Sequence, residues 1–346
     1  MKETKNAKIV FLEVEDSWEQ TYLRRAFGDD ALYLPGTADE IKPPGDCEVL
    51  SVFIKSKIDD HKMASMPRLK LITTRSTGFD HIDTAAAAKR GVLVSNVPVY
   101  GENTVAEHTF ALILSLSRNL RKAYFRTMQN DFSIKGLMGF DLKGKTIGII
   151  GTGHIGLHVI RMAIGFGMKV IAFDVKQNTF LSEVMGFEYS DLDNLLMKSD
   201  ILSLHVPFMP STKHLINKNT IKKIKKGAIL INTARGGLVE TGALVQALDE
   251  GILSGVGLDV LEEEEYVLEE KRLTNTNAGD EHWSKLQTVL ANNILLHREN
   301  VIYTPHMAFY SKEAVQRILD TTIENIRNFL KGSPVNRINI DHKAHH

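Results

Sequence analysis

The chain has 346 residues, 43% of them hydrophobic, and its 42 lysines and arginines balance its 42 aspartates and glutamates. That length accommodates two domains, each able to bury a core, while the composition excludes a disordered chain and lacks the basic surplus that nucleic-acid binding needs. A single cysteine, Cys47, excludes an intramolecular disulfide and any CxxC metal site, and the charged opening MKETKNAKIV, with no long apolar run after it, predicts a soluble, cytosolic protein with no membrane span.

From Ala7 to Val94, short apolar runs alternate with helical stretches. Strands are predicted at Lys8–Val14, Glu48–Phe53, Leu69–Thr74 and Val92–Ser95, and helices near Trp18–Phe27, Asp60–Ser65 and Asp80–Arg90. Such alternation predicts an α/β unit, a parallel sheet covered by helices. It carries no glycine fingerprint, so this part is expected to bind something other than a dinucleotide. The run Arg75-Ser-Thr-Gly-Phe-Asp80 sits at a strand's carboxyl end, where ligands of such sheets bind. Thr77-Gly78 reads equally as a plain strand-to-helix turn. Asn96-Val-Pro-Val-Tyr100-Gly is rich in breakers and reads as a hinge; after it come a long helical stretch, Glu102–Leu120, and a polar segment, Arg121–Lys143.

The next stretch, Lys145 to Asp174, organises the rest. An apolar run, Ile147–Ile150, enters Gly151-Thr-Gly153-His154-Ile155-Gly156, followed by a helical stretch (Leu157–Phe166) and a second apolar run that ends in Asp174. Gly151 permits the tight turn, Gly153 lets a pyrophosphate approach the backbone, and Gly156 lets helix and strand pack closely. The helix N-terminus offers N–H groups and partial positive charge to the phosphates. Asp174 follows Gly156 by 18 positions (174 − 156), where a carboxylate can accept both hydroxyls of the adenine ribose. The strand, turn, helix and acid together indicate a dinucleotide. An acid there repels a 2′-phosphate, favouring NAD over NADP, with Lys176 nearby as a counterweight.

Downstream, strands are predicted at Asp200–Val206, Ala228–Asn232, Ser254–Asp259 and Val301–Tyr303. Their ends carry polar residues that should converge on one crevice. Arg235, flanked by glycines after the second of these strands, reads either as a bidentate carboxylate clamp or as a helix-capping salt bridge. Asp259 ends the third, ahead of the acidic run Glu262 to Glu265, most of which reads as a solvated face. Thr304-Pro-His306 ends the last; a lone histidine is often structural, but one at a strand end beside a nucleotide site and an acid is a general-acid candidate. The final stretch, Glu313–Leu330, places Val315, Ile318, Leu319, Ile323, Ile326 and Phe329 on one helical face and is expected to cross back onto the first domain.

Taken together, GTGHIG with Asp174, His205-Val206-Pro207, Asn232-Thr-Ala-Arg-Gly-Gly237, Gly257-Leu-Asp-Val and Thr304-Pro-His306 resemble the D-isomer-specific 2-hydroxyacid dehydrogenases over nearly the whole chain. Asn96-Val-Pro-Val-Tyr100, Ala106-Glu-His108 and Ala308-Phe-Tyr-Ser-Lys-Glu-Ala314 are similar to the D-lactate dehydrogenase branch. The resemblance implies two Rossmann-like/flavodoxin-like doubly wound parallel-sheet domains, with the nucleotide-binding domain (residues 100–307) inserted into a discontinuous substrate domain (residues 1–99 and 308–346). It also implies a homodimer with a dimerisation arm near residues 102–142. The implied activity is NAD-dependent interconversion of a 2-ketoacid and a D-2-hydroxyacid, foremost pyruvate and D-lactate, without a metal. The alternatives are hydroxypyruvate, phenylpyruvate or phosphoglycerate as substrate, or an NAD-sensing, corepressor-like binding protein.

By motif match, Arg235 holds the substrate carboxylate, His306 is the acid/base, and Glu264 keeps it protonated, since a neighbouring carboxylate favours the imidazolium of a group whose ordinary pKa is about 6.5. Backbone amides at Thr77 and Gly78 share the carboxylate, and Phe53, Tyr100 and Phe309 shape a side-chain pocket suited to a methyl group. Cofactor contacts carry over to Gly151, Gly153, His154, Ile155, Gly156, Asp174, Val206, Pro207, Thr212, Thr233, Ala234, Arg235 and Asp259. Glu264 is taken as the partner because it lies five positions after Asp259 (264 − 259), the spacing that the resemblance implies, although the proline expected after it is missing and Glu263 and Glu265 flank it. The segment Tyr266–Asn300 is longer than in compact members and mostly polar.

Overall fold

A computed structural model describes residues 8–264 and 280–338, so Glu265 and most of the polar segment's first half lie outside the described residues. The chain divides into two compact units, one formed by Met1–Tyr100 with Ser311–His346 and the other by Gly101–Tyr310.

The first unit holds five parallel strands: β1 (Ile9–Phe11), β2 (Ala31–Tyr33), β3 (Val49–Val52), β4 (Leu71–Thr74) and β5 (Leu93–Ser95), in the order β2-β1-β3-β4-β5. That is the flavodoxin-like order, whose direction of winding reverses between β1 and β3. Each strand is shorter than its apolar run, because pairing covers only the residues that face neighbours; β4 is buried throughout, as expected of a strand covered on both faces. β2 was not foreseen, since Ala-Leu-Tyr is too short to show a period. The helix predicted from Asp80 begins at Thr84, where the Asp83 carboxylate accepts the Ala86 N–H at 2.9 Å and caps it. The amphipathic Lys312–Leu330 helix packs on β4 and on the Ser17–Phe27 helix. Val10, Leu50, Ile72 and Val94 form the centre of the core, and burying each such side chain contributes about 1.5–3 kcal/mol.

The second unit holds seven parallel strands: β6 (Thr146–Ile150), β7 (Lys169–Phe173), β8 (Glu188–Tyr189), β9 (Ile201–Leu204), β10 (Ala228–Asn232), β11 (Leu253–Leu258) and β12 (Val301–Tyr303). Their order, β12-β11-β10-β9-β6-β7-β8, places the winding reversal between β6 and β9, where ligands of doubly wound sheets bind. Alternate residues of the same strands feed two cores. Ile150, Leu204 and Leu230 face one side of the sheet; Ile149, Ile229 and Ile231 face the other.

The predicted Glu102–Leu120 helix ends at Ser117, because Asn119 adopts a left-handed φ of 53°. A second helix, Leu120–Met128, follows where the sequence reads as a polar segment. The late part of the polar segment Tyr266–Asn300 is also helical, Asp280–Leu296, with Val289, Asn292 and Leu295 buried beside the Thr241–Asp249 helix. Among the described residues no helix is long and apolar enough to cross a membrane.

Candidate active site

The site of the second unit is assembled from strand ends. At β6, Gly151 turns with φ 102°, and a Cβ there would stand 2.7 Å from the His205 carbonyl carbon. Gly156 is equally constrained, since its Cβ would lie 2.0 Å from the Gly151 oxygen. Gly153 differs: a Cβ on it would meet nothing within 4 Å. The first two glycines are required by the protein's own packing, whereas Gly153 borders open space at the start of the His154–Gly165 helix. His154, Ile155 and Gly156 are the first residues of that helix, and amides so placed have no carbonyl one turn back to bond. Asp174, just past the end of β7, closes the loop. Its Oδ2 accepts the Thr152 N–H at 2.7 Å and hydroxyl at 3.1 Å, and its Oδ1 accepts the Lys176 N–H at 2.9 Å. Burial raises its pKa, and the donors from Lys176, Thr152 and Val175 outweigh that, leaving it below the ordinary aspartate value. This cradle fits a dinucleotide: a backbone approach clear of side chains, helix amides for the phosphates and a carboxylate for a ribose.

After β9, the His205 ring bonds the Ser203 hydroxyl at 2.8 Å, and burial drives its pKa down to about 3, so it is neutral. Val206 packs on the core beneath, while the Thr212 hydroxyl donates to the Pro207 carbonyl at 2.7 Å and fixes the following turn. After β10, Asn232 organises the turn to Arg235, its Oδ1 accepting the Ala234 N–H at 3.0 Å and its Nδ2 donating to the Arg235 carbonyl at 2.8 Å. Thr233 is buried, with its hydroxyl 3.0 Å from that of Thr109.

Asp259, at the end of β11, is buried and engaged with the loop after β12. Its carboxylate accepts the Thr304 hydroxyl at 2.5 Å and the N–H groups of Met307 and Ala308 at 2.9 Å each. Its carbonyl accepts the His306 N–H at 2.8 Å, holding that residue at a left-handed φ of 52°. In that posture His306 Nδ1 donates to Glu264 Oε1 at 2.8 Å, and the pair keeps side-chain exposures of 25% and 29%. Nε2 is left as the nitrogen for proton exchange. Of the described acids in the run, Glu264 meets the histidine, whereas Glu262 pairs with His214.

In the first unit, Thr77 and Gly78 follow β4 and Phe53 follows β3. The Thr77 hydroxyl and carbonyl are held by Val97 and Asn96, and neither Thr77 nor Gly78 donates its amide to another group among the described residues. The Tyr100 carbonyl accepts from Arg317. In the second unit, Phe309 stacks edge-on against Tyr310 at 5.8 Å.

Residues 110–308 match the family described as D-isomer specific 2-hydroxyacid dehydrogenase, NAD binding domain. The chain belongs to this family. It is 35% identical to the D-lactate dehydrogenase of Escherichia coli, over 86% of this chain and 87% of that one. It is 38% identical to an aromatic 2-oxoacid reductase of Clostridium sporogenes, over 78% of each. Among solved structures, the D-lactate dehydrogenase of Aquifex aeolicus complexed with NAD and lactic acid matches with a TM-score of 0.81 and 38% identity, covering 94% of this chain and 96% of that one. The protein is thus an NAD-dependent oxidoreductase of the 2-hydroxyacid dehydrogenase family.

Three groupings in this family member escaped sequence reasoning. Glu13, at φ 56°, accepts the N–H groups of Phe53, Lys55 and Ser56 at 3.0–3.1 Å. Buried Arg75 donates to the carbonyls of Leu12 and Glu13 at 2.7 and 2.9 Å; burial lowers its pKa and the charges of Glu13 and Glu19 oppose that. Together they set the chain on which Phe53 sits. His108 bonds the Thr304 hydroxyl at 2.9 Å, and burial lowers its pKa while Asp259 raises it. The third grouping, around Glu262, is taken up below. Each unites residues far apart in the chain, with no local pattern to announce it.

Proposed function

We propose that the protein interconverts pyruvate and D-lactate. The observation that carries the proposal is the Glu264–His306 pair, with His306 Nε2 turned to neither Glu264 nor Asp259 and the cofactor cradle on strand ends of the same sheet. In reduction, charged His306 delivers a proton from Nε2 to the ketone oxygen, and Glu264 stabilises the charged ring. The cofactor held by the cradle would supply the hydride as NADH in reduction and take it up as NAD⁺ in the reverse direction, so pyruvate, NADH and a proton balance D-lactate and NAD⁺. On this reading Arg235 of the second unit clamps the substrate carboxylate, and the family resemblance assigns the remaining substrate contacts to Phe309 in that unit and to Phe53, Tyr100 and the Thr77 and Gly78 amides in the first. Gly151, Gly153, His154, Ile155, Gly156 and Asp174 hold the pyrophosphate and adenosine half, and Val206, Pro207, Thr212, Thr233, Ala234 and Asp259 border the rest. The active form on this reading is a cytoplasmic homodimer.

Three aromatic residues favour a methyl group over larger chains, and the family relatives include a D-lactate dehydrogenase. A hydrophobic pocket discriminates by about 1–3 kcal/mol per methylene, so the preference should be graded. The test is NADH oxidation with pyruvate, hydroxypyruvate, phenylpyruvate and 2-ketoisocaproate, compared as kcat/KM. Pyruvate is expected to lead. A preference of about tenfold or more for phenylpyruvate would instead assign the aromatic residues to stacking on a phenyl ring.

A further inference from the structure

Two residues before Glu264, Glu262 is bound on every side by groups that take no part in the proton transfer. One carboxylate oxygen meets His214 Nε2, and the other accepts the Thr241 N–H at 3.1 Å and the Thr241 hydroxyl at 2.9 Å. Its carbonyl accepts Asn292 Nδ2 at 2.7 Å, from an asparagine that is wholly buried. His214 is itself held at a left-handed φ of 49°, donating its N–H to the Gly237 carbonyl at 2.9 Å and accepting Asn217 Nδ2 on its own carbonyl at 2.9 Å. The loop around Glu262 is equally constrained. Glu263 has φ 55°, the Leu261 N–H donates to Glu264 Oε2 at 3.1 Å, and a Cβ on Gly236, next to Arg235, would stand 1.9 Å from the Leu261 oxygen.

A surface ion pair contributes little to stability, about 0–1 kcal/mol. The Glu262 side chain is only 15% exposed, and four donors from three separate elements converge on this residue. The elements are the loop carrying Thr212 and His214, the start of the Thr241–Asp249 helix, and the Asp280–Leu296 helix. So many fixed donors on one short loop set where the Glu264 carboxylate falls, because a positive φ at Glu263 persists only when its surroundings determine it.

We propose that Glu262 is a positioning residue: held by His214, Thr241 and Asn292, it fixes the loop so that Glu264 reaches His306. The proposal rests on the reading of Glu264 as the partner of the acid/base histidine. It also makes the turn of Pro207–Thr212, through His214, a neighbour in contact with the loop that serves the proton transfer.

The experiment is the pH dependence of kcat/KM for pyruvate reduction, with thermal midpoints, in Glu262→Ala, His214→Ala, Glu262→Gln, Glu264→Gln and the double variant Glu262→Ala/Glu264→Gln. Reduction needs the charged ring, so activity falls as pH rises, and loss of a nearby carboxylate moves that fall to lower pH. Glu264→Gln should show this in full. Glu262→Ala and His214→Ala should move the fall the same way by at least about half a pH unit, read as about a threefold loss on the falling limb. Glu262→Gln keeps an acceptor for Thr241 and turns its amide N–H to His214 Nε2, which accepts it once the neutral ring carries its proton on Nδ1, and should hold the wild-type profile. The double variant should move no further than Glu264→Gln alone, as expected when two residues act through one contact. If Glu264→Gln moves the limb while Glu262→Ala and His214→Ala change only the thermal midpoint or scale the rate equally at every pH, Glu262 is merely structural and the proposal fails. If Glu264→Gln leaves the limb in place, the reading of Glu264 fails first. Should Glu262→Ala not fold, His214→Ala, which retains the Thr241 and Asn292 contacts, decides alone.

Discussion

The left-handed backbone of His306 puts its ring on Glu264, and two hydrogen bonds hold the residue there: its N–H to the Asp259 carbonyl and its Nδ1 to the glutamate. A positive φ at a non-glycine residue costs about 1–3 kcal/mol, which that surrounding frame offsets. His306→Gln should lower turnover of pyruvate by about 10²–10⁴-fold, the usual contribution of a positioned general acid, while NADH binding followed by fluorescence stays near wild type. Near-normal turnover would remove the histidine from the mechanism. Asp174 supports a second expectation. Its carboxylate, held low by Lys176 and Thr152, is charged at neutral pH and repels a 2′-phosphate. Asp174→Ala should therefore lose the preference for NADH over NADPH, measured as the ratio of kcat/KM values. Equal use of both cofactors by the unmodified protein would contradict the assignment and point to Lys176.

The strand–turn–helix element at β6 separates two kinds of glycine, and the contrast can be measured. At Gly156 a methyl group would press on a backbone oxygen 2.0 Å away, so the helix must lift from the strand. Gly156→Ala should cost about 1–3 kcal/mol, lowering the thermal midpoint of the cofactor-free protein by about 2–4 °C per kcal/mol. At Gly153 the added methyl meets no protein atom and φ is an ordinary −70°. Gly153→Ala should leave the cofactor-free midpoint within about 1 °C yet weaken NADH binding by displacing the phosphates from the helix amides. Equal effects of the two substitutions on NADH affinity and midpoint would show that Gly153 serves packing, not a ligand.

At the scale of the whole molecule, the Leu120–Met128 helix and the chain after it expose a series of large apolar residues. Tyr124, Phe125 and Met128 are more than half exposed, and Phe132, Ile134 and Met138 are exposed by 75%, 86% and 92%. A soluble chain rarely leaves so large an apolar series uncovered, and a second copy offers the same surface. Sedimentation should give twice the chain mass at micromolar concentration, and Phe132→Asp combined with Ile134→Asp should shift it toward the monomer. A monomeric unmodified protein under those conditions would reject the homodimer.

The amino-acid sequence by itself determined the α/β class, most strands, the glycine turn with Asp174, and the residues now found at the ends of β10 to β12. These are local features: a buried parallel strand is a continuous apolar run, and a turn that must admit a backbone or a phosphate has to be glycine. The two-residue β8 and three-residue β2 were not legible, since strands that short carry no period. Neither was the break at Asn119, which depends on a left-handed posture that the chain identity allows but does not require. Among the acids from Glu262 to Glu264, the family's spacing from Asp259 named Glu264 as the partner for His306. Only tertiary packing assigned Glu262 to His214, Thr241 and Asn292, and Glu264 to the histidine. Carboxylates in a row are chemically alike; what distinguishes them is which donors other parts of the fold bring within hydrogen-bonding reach.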